Sequence, residues 1–128
     1  LIVDGHCTHC IVTEPDRRFV FANIYNALSQ DGLFWISTML GHDKCAFGEH
    51  SHWDEDGILW TRIKNPSDYD LVKTINKTSY IAQRRIYKDP AAIVSELKNT
   101  GFEMLWENIV KTEKADTPFS YQAICKKK

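Results

Sequence analysis

Five histidines, four cysteines and two tryptophans in loop-like sequence are the residues here whose types and spacing can do chemistry. His6, Cys7, His9 and Cys10 crowd one short segment, and His42, Cys45, His50 and His52 crowd a second. An unperturbed imidazole titrates near neutral pH, so each histidine is a candidate general base, and the role is assigned to His9 and His50. A histidine in a turn also serves simply to satisfy backbone groups. Thiolate and imidazole are the donors that zinc prefers, which makes a zinc-binding domain built on Cys7, Cys10 and the nearby histidines an alternative. That donor set is incomplete. No second Cys-x-x-Cys or His-x-x-x-His pair follows, and a segment leaving a strand points successive side chains in several directions, so no metal ligand is assigned. Trp53 and Trp60 suit a lid over a bound molecule, or an anchor holding a long loop on the core.

These residues must be held by ordered elements. Leu1-Ile2-Val3 reads as the end of a continuous apolar strand of the kind buried in parallel sheets, stopped by Asp4-Gly5. Thr13 announces a helix as its cap, Pro15 and Asp16 suit the first turn, and Phe21, Ile24, Tyr25 and Leu28 recur at helical spacing. Asp31-Gly32 is expected to end it, with Gly32 in the left-handed conformation. Leu33 to Met39 is aromatic, β-branched and nearly all apolar, hence a second buried parallel strand joined by a right-handed crossover. Residues 41–76 are polar, lack a helical period and are long for a connection, so they form an insertion on the substrate side of one domain spanning 1–128. Gly57 to Ile63 and Thr78 to Tyr87 are expected to pair as strands. A second helix is capped by Asp89, starts on Pro90, buries Ile93, Val94 and Leu97, and closes at Gly101. Two strands remain, near Glu103 to Lys111 and Phe119 to Lys126, and their closeness in sequence favours antiparallel pairing.

The chain has 128 residues, 43% apolar and 26% charged, within the range of one soluble globular domain. A net charge of -1 exerts no pull toward nucleic acid or an anionic membrane, and Lys126-Lys127-Lys128 is the one basic run. No stretch is long enough to span a bilayer and no signal peptide is recognisable, so a cytoplasmic protein with reduced thiols is expected. The chain opens inside an apolar strand without an initiator Met, which suggests a missing upstream segment.

The order strand, helix, strand, insertion, helix, strand, strand resembles the second half of the class I S-adenosylmethionine (SAM)-dependent methyltransferases. Leu1-Ile2-Val3-Asp4 followed by His6 to Ile11 is similar to that family's fourth strand and its exit. Arg17-Arg18 through Leu28-Ser29-Gln30-Asp31-Gly32-Leu33-Phe34 resembles the next helix and its Leu-x-x-Gly-Gly passage into the fifth strand, with Asp31 where the first glycine is common. Arg85 to Pro90 and Leu97 to Phe102 resemble the late helix and its Gly-Phe exit. The resemblance implies an α/β, doubly wound, mostly parallel Rossmann-like sheet, of which this chain supplies strands 4, 5, 7 and 6, with the insertion after strand 5. It implies SAM as cofactor, with Asp4, Gly5 and His6 beside it, and a small-molecule methyl acceptor. Ligands sit outside the carboxyl ends of parallel strands, so Asp4 to Cys10 and Met39 to Trp53 should face one crevice, with Met39, His42 and Trp53 on the acceptor. No glycine-rich strand-to-helix turn is present to cradle the donor, so the fragment is expected to be inactive alone. A third reading is a non-catalytic interaction domain, forming a homodimer through the exposed edge of its first strand.

Overall fold

A computed structural model describes all 128 residues. It contains two α-helices and two four-stranded sheets, the first mixed and the second antiparallel, in an α/β fold. β1 (Ile2–Gly5) leads through a 3-10 turn at Thr8–Cys10 into α1 (Glu14–Ala27) and then β2 (Leu33–Leu40). β3 (Ser51–Trp53), β4 (Ile58–Ile63), β5 (Val72–Ile75) and β6 (Thr78–Arg85) follow, then α2 (Pro90–Thr100), β7 (Phe102–Val110) and β8 (Phe119–Lys127).

The first sheet has the order β1-β2-β8-β7. β1 and β2 are parallel, as their helical connection allows, while β8 runs antiparallel to both β2 and β7. Side chains alternate across β2. Phe34, Ile36 and Leu40 enter the core with Phe21, Leu28, Ile93, Leu97, Phe102, Tyr121, Ala123 and Cys125. Burial pushes the Cys125 thiol up to about 12, so this cysteine packs as a small apolar group. No helix covers the opposite face. Register there aligns Val3, Trp35, Ile124 and Trp106 in a row across all four strands, with Val3 57% and Trp106 44% exposed.

Local chemistry accounts for the helix ends. Thr13 caps α1 by accepting from the Asp16 amide, and Asp89 caps α2 by accepting from Ala91. Gly101 closes α2 at φ 110°, where a side chain would be strained, and a Cβ would also press on the Tyr25 ring. Gly32 behaves differently from expectation. α1 stops at Ala27 with Leu28 extended, and Gly32 keeps an ordinary φ. Its role is close approach, since a Cβ would meet the Leu28 side chain at 2.8 Å.

The helices are tied together by a buried ion pair. Arg17 donates from Nε and Nη2 to Glu96 at 3.0 and 2.8 Å, and from Nη1 to the carbonyls of Thr8 and Ile11. Tyr87 adds its hydroxyl to the same Glu96 oxygen.

The second sheet, in order β3-β4-β6-β5, is antiparallel throughout. The pairing of 57–63 with 78–87 appears as β4 against β6, and two short strands, β3 and β5, flank it. The sheet therefore takes in the chain through Arg85. It attaches to the first sheet where Leu40 bridges Tyr87, and β6 packs against the Thr8–Cys10 turn. No helix is long and apolar enough to cross a membrane.

Candidate active site at the carboxyl ends of the parallel strands

β1 ends at Gly5 and β2 at Leu40, side by side and pointing the same way. Asp4, the last inward-facing residue of β1, is buried among the groups it holds. Its carboxylate accepts from the amides of Cys7 (2.7 Å) and Thr8 and from the Thr8 hydroxyl. These bonds shape the turn that follows, as a carboxylate at a helix start does.

The turn is tight enough to force His6 to φ 73°, a conformation seldom adopted by residues with a side chain. The His6 amide donates to the Ser37 carbonyl at 3.0 Å, and its Nε2 lies 3.2 Å from Ser37 Oγ. Ser37 Oγ in turn is 2.8 Å from Ser120 Oγ on β8. An exposed imidazole is thus backed by two hydroxyls from adjacent strands, an arrangement able to hold and pass a proton. Strained backbone beside a hydrogen-bonded imidazole is a common property of functional sites.

His9 stands edge-on to His6, with ring centroids 5.8 Å apart. It is only 5% exposed, and its Nδ1 has no hydrogen-bond partner. Burial, then the positive charge of Arg84, lowers its pKa below the usual 6.5, only partly opposed by Asp4. Near neutral pH His9 is therefore uncharged.

The second segment is built as a wall. The Trp53 indole donates to the Ile86 carbonyl at 3.1 Å and lies over Gly41, where a Cβ would sit 2.2 Å from the ring. Phe47 meets the ring edge-on and Lys88 Nζ lies 4.7 Å from its centre. Trp53 thus anchors the loop to the core. His42 stacks on Phe119 at 4.1 Å, its Nε2 is 2.8 Å from the Thr117 carbonyl, and its Nδ1 accepts from the Lys44 amide. Those two bonds call for the Nε2–H tautomer and leave no ring nitrogen free. Met39 is half-buried on the sheet face that carries Ser37. His50 is largely exposed and pairs with Glu49, and no ring contact or hydrogen bond joins it to His6 or His9. Trp60 points elsewhere, donating to Asp54 at 2.7 Å.

The structure brings together Asp4, Gly5, His6 and His9, and adds Ser37 and Ser120. Two serines on different strands carry no spacing signal; their register became visible only when β2 and β8 paired. No three His, Cys, Asp or Glu groups come together as a metal site, so the zinc alternative finds no ligand set. All four cysteines are free thiols, with Cys7 and Cys10 exposed.

The chain is thus a mixed α/β fold with a hydrogen-bonded His6–Ser37–Ser120 cluster at the carboxyl ends of its parallel pair. No protein-family model matches the chain, and no curated protein matches it. Solved structures do share its fold. The 1,6-didemethyltoxoflavin-N1-methyltransferase of Burkholderia thailandensis, solved with 1,6-didemethyltoxoflavin and S-adenosylhomocysteine, aligns at TM-score 0.57 and 16% identity, over 98% of this chain and 42% of its own. The glycopeptide N-methyltransferase MtfA aligns at 0.57 and 18%, over 98% and 56%. An S-adenosylmethionine-dependent methyltransferase from Clostridium acetobutylicum aligns at 0.55 and 15%, over 94% and 54%. The chain spans about half the length of these proteins and has the fold of that part of them.

Proposed function

We propose that this chain is the C-terminal, acceptor-side half of a SAM-dependent methyltransferase acting on a small molecule. The observation that carries the reading is the His6–Ser37–Ser120 chain at the carboxyl ends of β1 and β2, in a fold shared with methyltransferases. The order β1-β2-β8-β7 is the one that strands 4, 5, 7 and 6 of such a sheet would have, and on this reading residues 41–76 are the substrate-side insertion.

When bound, SAM supplies an electrophilic methyl group on a sulfonium. In-line transfer of that methyl to the acceptor's lone pair would require the two reactants to be aligned and water excluded. This chain's task is to orient the reactants and take the proton that the acceptor gives up. His6 is the exposed imidazole placed for that proton: its Nε2 is held by Ser37, which Ser120 backs, and Nδ1 is left to take it. Buried and uncharged, His9 stands behind it as the second imidazole of the site. Asp4 and Gly5 fix the turn beside the cofactor, Met39 lies on the acceptor side, and His42 and Trp53 hold the wall of the crevice. His50 belongs to its outer rim.

Titration of the labelled 128-residue chain with S-adenosylhomocysteine, followed by NMR, tests this. Weak binding is expected, with shifts concentrated at Asp4 to His9 and at Ser37. Absence of shifts at millimolar ligand, or shifts centred elsewhere, would overturn the reading.

A further inference from the structure

A cavity of about 820 Å³ opens between α1, α2 and the second sheet, and none of Asp4, Gly5, His6, His9, Ser37 or Ser120 lines it. Its size is that of a site for a small organic molecule. Phe21 from α1, Ile58 and Trp60 from β4, and Leu71 just before β5 are its apolar residues of note. The charged groups on the lining differ in how fully they are engaged. Arg17 is spent on Glu96 and two carbonyls, and Arg18 on Glu14 at the exposed rim. Glu96 accepts at Oε2 from Arg17 and Tyr87 and turns Oε1 toward Arg85. Asp56 is exposed at the mouth.

Arg85 is the exception. Its guanidinium lies over the Tyr87 ring at 5.2 Å, its nearest carboxylate oxygen is Glu96 Oε1 at 4.0 Å, and it donates no hydrogen bond. Its Nε is buried without a partner. The lining is mixed, with Glu14, Asp56 and Glu96 among its polar groups, and on it the half-buried Arg85 guanidinium keeps unused donors whose paired N–H geometry matches a planar carboxylate.

We infer that this cavity is a binding site for a planar aromatic molecule carrying one carboxylate, with the ring against Trp60 and Phe21 and the carboxylate on Arg85. The site stands independently of methyl transfer.

Calorimetry of the 128-residue chain with indole-3-acetate, indole-3-acetamide and tryptamine tests it, because the three share a ring and differ in charge. The acetate should bind roughly tenfold or more tightly than the amide, and tryptamine should bind least. Arg85→Met should reduce the acetate to the level of the amide. Ala22→Trp, which fills the groove, should abolish binding of both while far-UV circular dichroism and Tm stay unchanged. Equal affinity for acetate and amide, no heat from any of the three, or acetate binding that survives Ala22→Trp overturns the inference. The charge series on the unaltered chain decides the matter even if Arg85→Met fails to fold.

Discussion

Asp4 and His9 lie in one turn and respond to burial in opposite ways. Asp4 has its charge satisfied by two amides and a hydroxyl. Asp4→Ala leaves those donors unmatched, so a loss of about 2–3 kcal/mol is expected from urea unfolding, with the turn released. A change below 0.5 kcal/mol, by the usual scale of surface substitutions, would show that the turn holds without it. His9 is buried with an unpartnered nitrogen and a lowered pKa. Protonating it costs more in the folded chain than in the unfolded one, so its stabilising contribution is complete above 6.5 and is lost as pH falls from there through the folded value. Unfolding measured across that window should show stability falling with acid, and the slope should flatten in His9→Gln. Identical slopes in the two proteins would rule His9 out as the cause.

Among the elements, the junction between the two sheets is the sensitive place. Gly41 follows β2 directly and lets Trp53 lie against the backbone, while the Trp53 indole bonds Ile86 at the other side of the junction. Gly41→Ala would put a methyl inside the ring, so the loop must shift. A destabilisation of about 1–3 kcal/mol is expected in urea titration, together with a change in near-UV circular dichroism from the displaced indole. Unaltered near-UV signal would mean that Trp53 is not held there. Both helices, their caps at Thr13 and Asp89 and the glycine stop at Gly101 were legible in sequence, because capping acts within one turn of chain. Gly32 was not: whether a glycine serves a left-handed turn or a close approach depends on what packs over it, here the Leu28 side chain.

For the whole molecule, the first sheet is half covered. α1 and α2 pack on one face, while Val3, Trp35, Ile124 and Trp106 line the other, and β1 has a free edge. Such an edge beside an apolar face recruits another strand. We expect the isolated chain to self-associate through β1, with the sedimentation coefficient rising with concentration; a stable monomer at high concentration would refute this. The same exposure is consistent with a chain half the length of the methyltransferases whose fold it shares.

By itself, the sequence determined the order and type of the principal elements, the ends of α2, the start of α1 and the resemblance to a methyltransferase half. These rest on short-range periodicity, capping and turn chemistry, which neighbouring residues impose on one another. Only the tertiary structure decided which groups meet. Pairing of β2 with β8 set Ser37 beside Ser120, and the Asp4-bonded turn places His6 on Ser37. Packing of the second sheet left Arg85 without a hydrogen-bond partner on the wall of a cavity. Those contacts join residues far apart in the chain, and their geometry follows from register and packing, which no local pattern of residue types encodes.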